Sequence, residues 1–335
     1  MRPGFGIEPP YLIFVGDAQD EVTAKTGFGV VKWRPDDCIG QARMPGGGVD
    51  LGLPDLSAAE AVARGARTLI IGIAPAGGAL PESWIAQLIQ ALDAGLDIAS
   101  GLHIRLGTIP ALQDAAARSG RRLIDVRHPQ HEFTVAKGEP RPGRRLLTVG
   151  TDCAVGKKYT ALAIHAALRR RGVAATFRAT GQTGILIGES GVAVDAVVAD
   201  FVAGAAEWLS PAAAPDHWDI IEGQGSLFHP AFAGVSLGLL HGSQPDVFVV
   251  CHEPTRQTLA SVSTRVPSLE EVIDLTIRLG RVTSPDIRCG GISINTARLE
   301  AAAARDLVEE TRARLDLPCT DPIRFGVDPI AEALL

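Results

Sequence analysis

Apolar runs of strand length alternate with segments of helical period along most of the chain. Residues 12–15 form the first such run. Ser57, with Glu60 three positions on, makes a capping box and predicts a helix that stops near Gly65. Residues 68–73 stay apolar without alternation, as a parallel strand covered on both faces does. A loop of Ala, Pro and Gly at 74–78 follows, placed where it could approach a ligand. A helix near 82–95, a strand at 96–99, a helix at 110–119 and a strand at 123–126 continue the alternation. This half predicts an open Rossmann-like sheet.

The pattern lapses at 128–145, where prolines, glycines and charges predict a linker carrying a solvated basic cluster, Arg141, Arg144 and Arg145. It then restarts. Strands are predicted at 146–149, 174–178, 219–222, 247–251 and 291–294. Helices are predicted at 157–171, 195–209, 269–279 and 299–315, with Ser268 and Glu271 capping the third. Asp328-Pro329 predicts a short terminal helix. The expected organisation is an α/β chain of two domains. Residues 1–140 form a Rossmann-like domain and 141–335 a P-loop NTPase-like, three-layer α/β/α domain.

Composition narrows the class. At 335 residues and 46% hydrophobic, the chain can build two cores. A net charge of −6 gives no general attraction to nucleic acid or anionic membrane. Five isolated cysteines without a Cys-x-x-Cys pair suggest neither disulfides nor a thiolate metal site, and no metal is expected. No run reaches membrane-spanning length, so a cytoplasmic protein is expected. A homo-oligomer is expected only because symmetric assemblies are common.

The strongest chemical signal is the run Gly150, Thr151, Asp152, Cys153, Ala154, Val155, Gly156, Lys157 and Lys158, between a predicted strand and a predicted helix. Small residues there let successive amides turn inward on an anion, and the helix adds its positive end. Five residues separate the glycines rather than four, a spacing that resembles the loop of dethiobiotin synthetase. The position after the P-loop lysine, where an NTPase keeps a hydroxyl for magnesium, holds Lys158. Two lysines suit a metal-free polyphosphate such as that of coenzyme A. An ATP-dependent ligase or kinase of the dethiobiotin synthetase type, acting on a small carboxylate, is the alternative.

Two further strand-end clusters face the same edge. One is Asp219-Ile-Ile-Glu222-Gly-Gln224-Gly-Ser226-Leu-Phe-His229. Glu222 is the expected general base, with His229 and Asp200 as lesser candidates, and Gln224 and Ser226 as hydrogen-bonding groups. The other is Arg178-Ala-Thr180-Gly-Gln182-Thr183-Gly, expected as a flexible, donor-rich loop. Arg178 or Arg256 is expected to hold a substrate carboxylate with its planar fork. Cys153 reads as a packing residue rather than a nucleophile. Asp17, Lys25, Arg34 and Asp50 lie near strand ends of the first half, without a dinucleotide fingerprint.

Taken in this order, segments 150–158, 179–184, 195–207, 222–229 and 237–256 resemble the D-glutamate N-acetyltransferase family, long catalogued as a domain of unknown function. The resemblance is strongest over 146–257. It implies a Rossmann-like domain joined to a P-loop domain, with acetyl-CoA as co-substrate and D-glutamate or a similar acidic amino acid as acceptor. It also implies functional pairing with a dehydrogenase that oxidises the N-acetyl product.

Overall fold

The computed structural model describes residues 4–74 and 80–335, arranged as two compact units. The loop expected to approach a ligand after residue 74 lies outside the described residues for 75–78. The first unit takes in Met1–Gln130 together with Gln182–Ala193, and the second His131–Gly181 and Val194–Leu335.

The first unit is an all-parallel sheet. Its strands are β1 (Tyr11–Gly16), β2 (Cys38–Arg43), β3 (Thr68–Ile71), β4 (Asp97–Ser100) and β5 (Leu123–Asp125), in the order β2-β1-β3-β4-β5. Strands β1, β3 and β4 are buried along their whole length, which is why they read as unbroken apolar runs. Helices α1 (Lys25–Trp33), α2 (Ala58–Ala63), α3 (Glu82–Ala94) and α4 (Pro110–Ser119) connect them. The Ser57–Glu60 capping box is present, and α3 stops at Gly95 in the left-handed conformation. Sequence reasoning missed α1 and β2. Two glycines in α1 and the mixed Cys-Ile-Gly-Gln-Ala-Arg strand blur both periodicities.

The second unit has β6 (Arg144–Gly150), α5 (Lys157–Arg170) and β7 (Ala175–Arg178). Helix α6 (Gln182–Gly188), which belongs to the first unit, comes next. Then follow α7 (Val202–Leu209), β8 (Trp218–Ile221), α8 (Ala233–Ser243), β9 (Val247–His252), α9 (Leu269–Gly280), β10 (Arg288–Ile294), α10 (Ala301–Leu315), β11 (Cys319–Thr320) and α11 (Asp328–Glu332). Six parallel strands run in the order β11-β10-β9-β6-β8-β7. The chain leaves β6 first toward β7 and β8, then toward β9. The crevice beyond the carboxyl ends of β6, β8 and β9 is therefore the topological switch point. Helix α5 packs on one face of the sheet, and α8 and α9 on the other. Leu147, Ile221, Leu240, Phe248, Val272 and Ile292 build the core beneath α8 and α9.

Several expectations are corrected. Residues 182–188 are helix, not flexible loop. The predicted helix 195–209 is two short 3-10 turns, Val194–Ala196 and Ala199–Phe201, followed by α7. Helix α8 was hidden by its glycines and serines. The stretch after Gln130 is no free tether. His131 and Phe133 pack on Trp208, and the Lys137 and Gly138 amides donate to Glu207. Its basic cluster is solvated at Arg144 alone, which is exposed. Arg145 is 3% exposed and donates to Ser210 and to backbone carbonyls. Burial beside Arg145 brings the Arg141 guanidinium down to about 10.

Candidate functional site

Strand β6 delivers Gly150 to the switch point, and Thr151 and Asp152, both fully buried, lead into the turn. Ala154 and Gly156 take positive φ, 53° and 108°. That alternation of handedness points consecutive amides to one side. Gly156 caps α5 without a side-chain hydrogen bond, so the first-turn amides of α5 face the crevice unfilled by a cap. Lys157 is buried and folds back over the loop, its Nζ donating to the Asp152 carbonyl at 2.6 Å. Burial pulls its ammonium below the ordinary lysine range. Lys158 lies with Nζ 4.7 Å above the Tyr159 ring. Thr160 cannot take over the missing metal ligand. Its hydroxyl bonds the Gly156 carbonyl and the Ser293 hydroxyl, and accepts from the Cys251 thiol.

Asp152 is a structural anchor rather than a phosphate contact. Its Oδ1 accepts from the Cys153 amide at 2.6 Å. Its Oδ2 accepts from Arg256 Nη1 at 2.7 Å and the Ala260 amide at 2.8 Å. Arg256 Nη1 also donates to the Cys153 carbonyl, and its Nε lies 3.2 Å from Glu253. The expected substrate anchor is thus spent holding the phosphate loop. Arg178 is committed through one nitrogen. Its Nε donates at 2.8 Å to Asp219, which is 2% exposed and also accepts from the Ser210 hydroxyl. Each arginine thus has part of its fork engaged within the protein.

Strand β8 ends at Ile221, which places Glu222 at the crevice, 4% exposed. Glu222 Oε2 accepts from the amides of Thr180 and Gly181 at 3.0 and 3.2 Å, and the Thr180 hydroxyl donates to its carbonyl. Burial pushes its carboxyl above the ordinary glutamate range, against the opposing pull of Lys158, the two amides and Lys157. Gln224 Nε2 donates to the Thr180 hydroxyl at 3.1 Å, and the Ser226 hydroxyl to the Thr151 carbonyl at 3.2 Å. The structure therefore brings together the β6 turn, Glu222, Thr180, Gln224 and Ser226.

Other candidates fall away from this group. Both His229 ring nitrogens serve the backbone. Nδ1 accepts from the Ala231 amide, so Nε2 carries the proton given to the Ala260 carbonyl at 2.9 Å. His229 braces the turn and is not poised as a base. Asp200 is exposed in a 3-10 turn. Gln182 starts α6 in the first unit, and the Thr183 hydroxyl is buried there against that of Thr26 at 3.0 Å. Burial raises the Cys153 thiol, which removes the activation a nucleophile needs. Among the described residues, Asp152, Cys153 and His229 bring potential metal-ligating atoms within 4.8 Å of one another. The Asp152 carboxylate already carries the Arg256 cation, which a metal would have to displace. In the first unit, Asp17 accepts from Trp84 Nε1, Arg34 pairs with Asp37 and Glu189, and Asp50 accepts from Gln41.

Sequence reasoning missed three hydroxyls here. Thr148 accepts from the Gly223 amide at 2.9 Å, and Ser236 donates to the Gln224 carbonyl at 2.8 Å. Thr276 is the third, a polar residue on the buried stripe of α9 beside Leu269 and Val272. The signal available for it was that break in an apolar stripe. These residues border a narrow cavity beneath the 223–227 loop, with room for about one or two water molecules.

The family models agree with both halves. A P-loop domain of unknown function, the C-terminal domain of DUF1611, matches residues 134–331. A Rossmann-like domain of unknown function, the N-terminal domain of DUF1611, matches 42–129. Two relatives, from Tritonibacter scottomollicae and a Pseudoalteromonas species, are each named D-glutamate N-acetyltransferase. They are 49% and 46% identical to this chain, covering 98% of it and 99% of themselves. A crystal structure of a DUF1611 protein from Anabaena variabilis superposes with a TM-score of 0.87 at 34% identity. That match covers 97% of this chain and 99% of the other. With both of its domains matched in order and full-length relatives at this identity, the chain belongs to the DUF1611 family.

Proposed function

We propose that this protein is an N-acetyltransferase that moves an acetyl group from acetyl-CoA to the amino group of D-glutamate. The observation that carries the reading is the composition of the β6 turn. It is a phosphate-binding loop whose metal-ligand position holds Lys158, and the Thr160 hydroxyl that could replace it is bonded into the core. Such a loop suits a polyphosphate that needs no magnesium. The relatives named for D-glutamate acetylation supply the acceptor.

In this reading the 154–157 amides and Lys157 hold the phosphates of coenzyme A, whose thioester supplies the acetyl group, the Cys153 amide being taken by Asp152. Glu222 takes a proton from the substrate ammonium, and its raised carboxyl is the better base for being buried. The freed amine attacks the thioester carbonyl, and amides of residues 224–226 meet the developing oxyanion. The Gly223 amide is excluded from that role by its bond to Thr148. Collapse expels the thiolate, which receives the proton held on Glu222, while the acylated nitrogen sheds its remaining extra proton to solvent, so one proton is released for each acetyl group moved. The enzyme acts ahead of an N-acetyl-D-glutamate dehydrogenase, as a cytoplasmic homo-oligomer.

Calorimetric titration with acetyl-CoA and with Mg–ATP, followed by thiol release across D- and L-amino acids, tests the reading. Acetyl-CoA binding without magnesium and thiol release with D-glutamate are expected. Binding of Mg–ATP alone would transfer the assignment to a ligase or kinase.

A further inference from the structure

The cavity beneath the 223–227 loop is walled by Leu147 and Val149 of β6, Leu239 and Leu240 of α8, and Val272 and Thr276 of α9. Gly150 and Gln224–Ser226 also line it, and the latter are the backbone that meets the oxyanion in the proposed reaction. It is narrow, with room for about one or two water molecules' worth of atoms. Four hydroxyl side chains line it, and three are satisfied by the protein. Thr148 accepts from the Gly223 amide, Ser226 donates to the Thr151 carbonyl and Ser236 to the Gln224 carbonyl. Thr276 is fully buried, and its Oγ1 has no hydrogen-bond partner among the described residues.

An unpaired hydroxyl in an apolar wall is costly, and valine would fill the same space without that cost. Packing therefore gives no reason for a threonine at this point of the α9 stripe. A small guest does. One water on Thr276 would satisfy the hydroxyl and leave space above it for a methyl group and little more.

Resting on the acetyl-transfer reading, we propose that this cavity is the acyl subsite, and that Thr276 is the polar floor that limits it to a two-carbon group. The methyl of the acetyl group lies against Leu239, Leu240 and Val272. A longer acyl chain would have to displace the water and cover the hydroxyl with methylene, which leaves that hydroxyl unpaired again. Selection for acetyl thus comes from the polarity of the floor as well as from its depth.

The test is kcat/KM of the full-length enzyme with D-glutamate and acetyl-, propionyl- or butyryl-CoA. Wild type, Thr276→Val and Val272→Ala are compared, each checked for folding by its melting temperature. Thr276→Val keeps the volume and removes the polarity. It is expected to raise the propionyl-to-acetyl ratio about tenfold, the scale of one methylene in a receptive pocket. Val272→Ala deepens the cavity and should raise the butyryl ratio as well. Ratios within twofold of wild type in both variants, with acetyl transfer intact, would overturn the subsite and leave the acetyltransferase standing. Wild type that releases no thiol from acetyl-CoA with any amino acid would remove both. If Thr276→Val fails to fold, Val272→Ala decides alone.

Discussion

The turn after β6 and the turn after β8 are both rich in glycine, but their glycines answer different demands. Gly156 sits at φ 108°, with open space where a side chain would begin. It is there for its conformation, and the room beside it is available to a ligand. Gly223 has an ordinary φ, yet a methyl group on it would overlap the Thr148 carbonyl. It is there because the loop is pressed against β6. The acids differ in the same sense. Asp152 is neutralised by Arg256, whereas Glu222 is held by two amides and leaves its burial largely uncompensated. The first turn is a cradle stitched at its base, and the second is a packed shelf that keeps one carboxylate basic.

Alanine at the two glycines breaks this contrast most sharply. Gly223→Ala should cost more than about 4 kcal/mol, seen as loss of the folded protein or a collapse of its melting temperature. Gly156→Ala should cost only about 1–2 kcal/mol, the strain of a left-handed alanine. Equal losses would erase the distinction.

Glu222→Gln is next. The amide oxygen can keep the Thr180 and Gly181 bonds, so folding should survive while thiol release falls about 10²–10⁴-fold. The pH behaviour sharpens this. The folded carboxyl holds its proton to higher pH than the unfolded one, because burial raises it. Between the two values the unfolded chain binds fewer protons, so Glu222 makes stability fall as pH rises through that interval. Over the same interval wild-type turnover should climb as the base form appears. Glu222→Gln should flatten both slopes, and a variant that kept full turnover would remove the proposed base.

Arg256→Ala falls between the two glycine variants in stability. It leaves Asp152 buried without its cation, at a cost of about 3 kcal/mol, and should weaken acetyl-CoA binding by loosening the loop. A rise in KM for D-glutamate with unchanged stability would instead restore Arg256 to the substrate.

The β6 turn was legible because glycine spacing, a strand before and a helix after are all local. Glu222 was legible because an apolar parallel strand that ends in an acid must set that acid at the carboxyl edge of the sheet. The arginines were not. An arginine at a strand end announces an anion but not which one, and Asp219 and Asp152 lie 41 and 104 residues away from their partners. His229 misled for the same reason, since its acceptor is the Ala260 carbonyl. Helix α6 was invisible because Gln-Thr-Gly-Ile reads as a turn until burial of Ile185, Leu186 and Ile187 in the first unit makes it helical.

That excursion of the chain into the first unit has a consequence during biosynthesis. Glu189 receives Tyr11 and Arg34, and its carbonyl receives the Phe5 amide, so the earliest-made strand waits on a residue made far later. The amino-terminal half emerging from the ribosome lacks these contacts until residues 182–193 have followed it out. A gene cut between the two units would orphan the first from its own last helix.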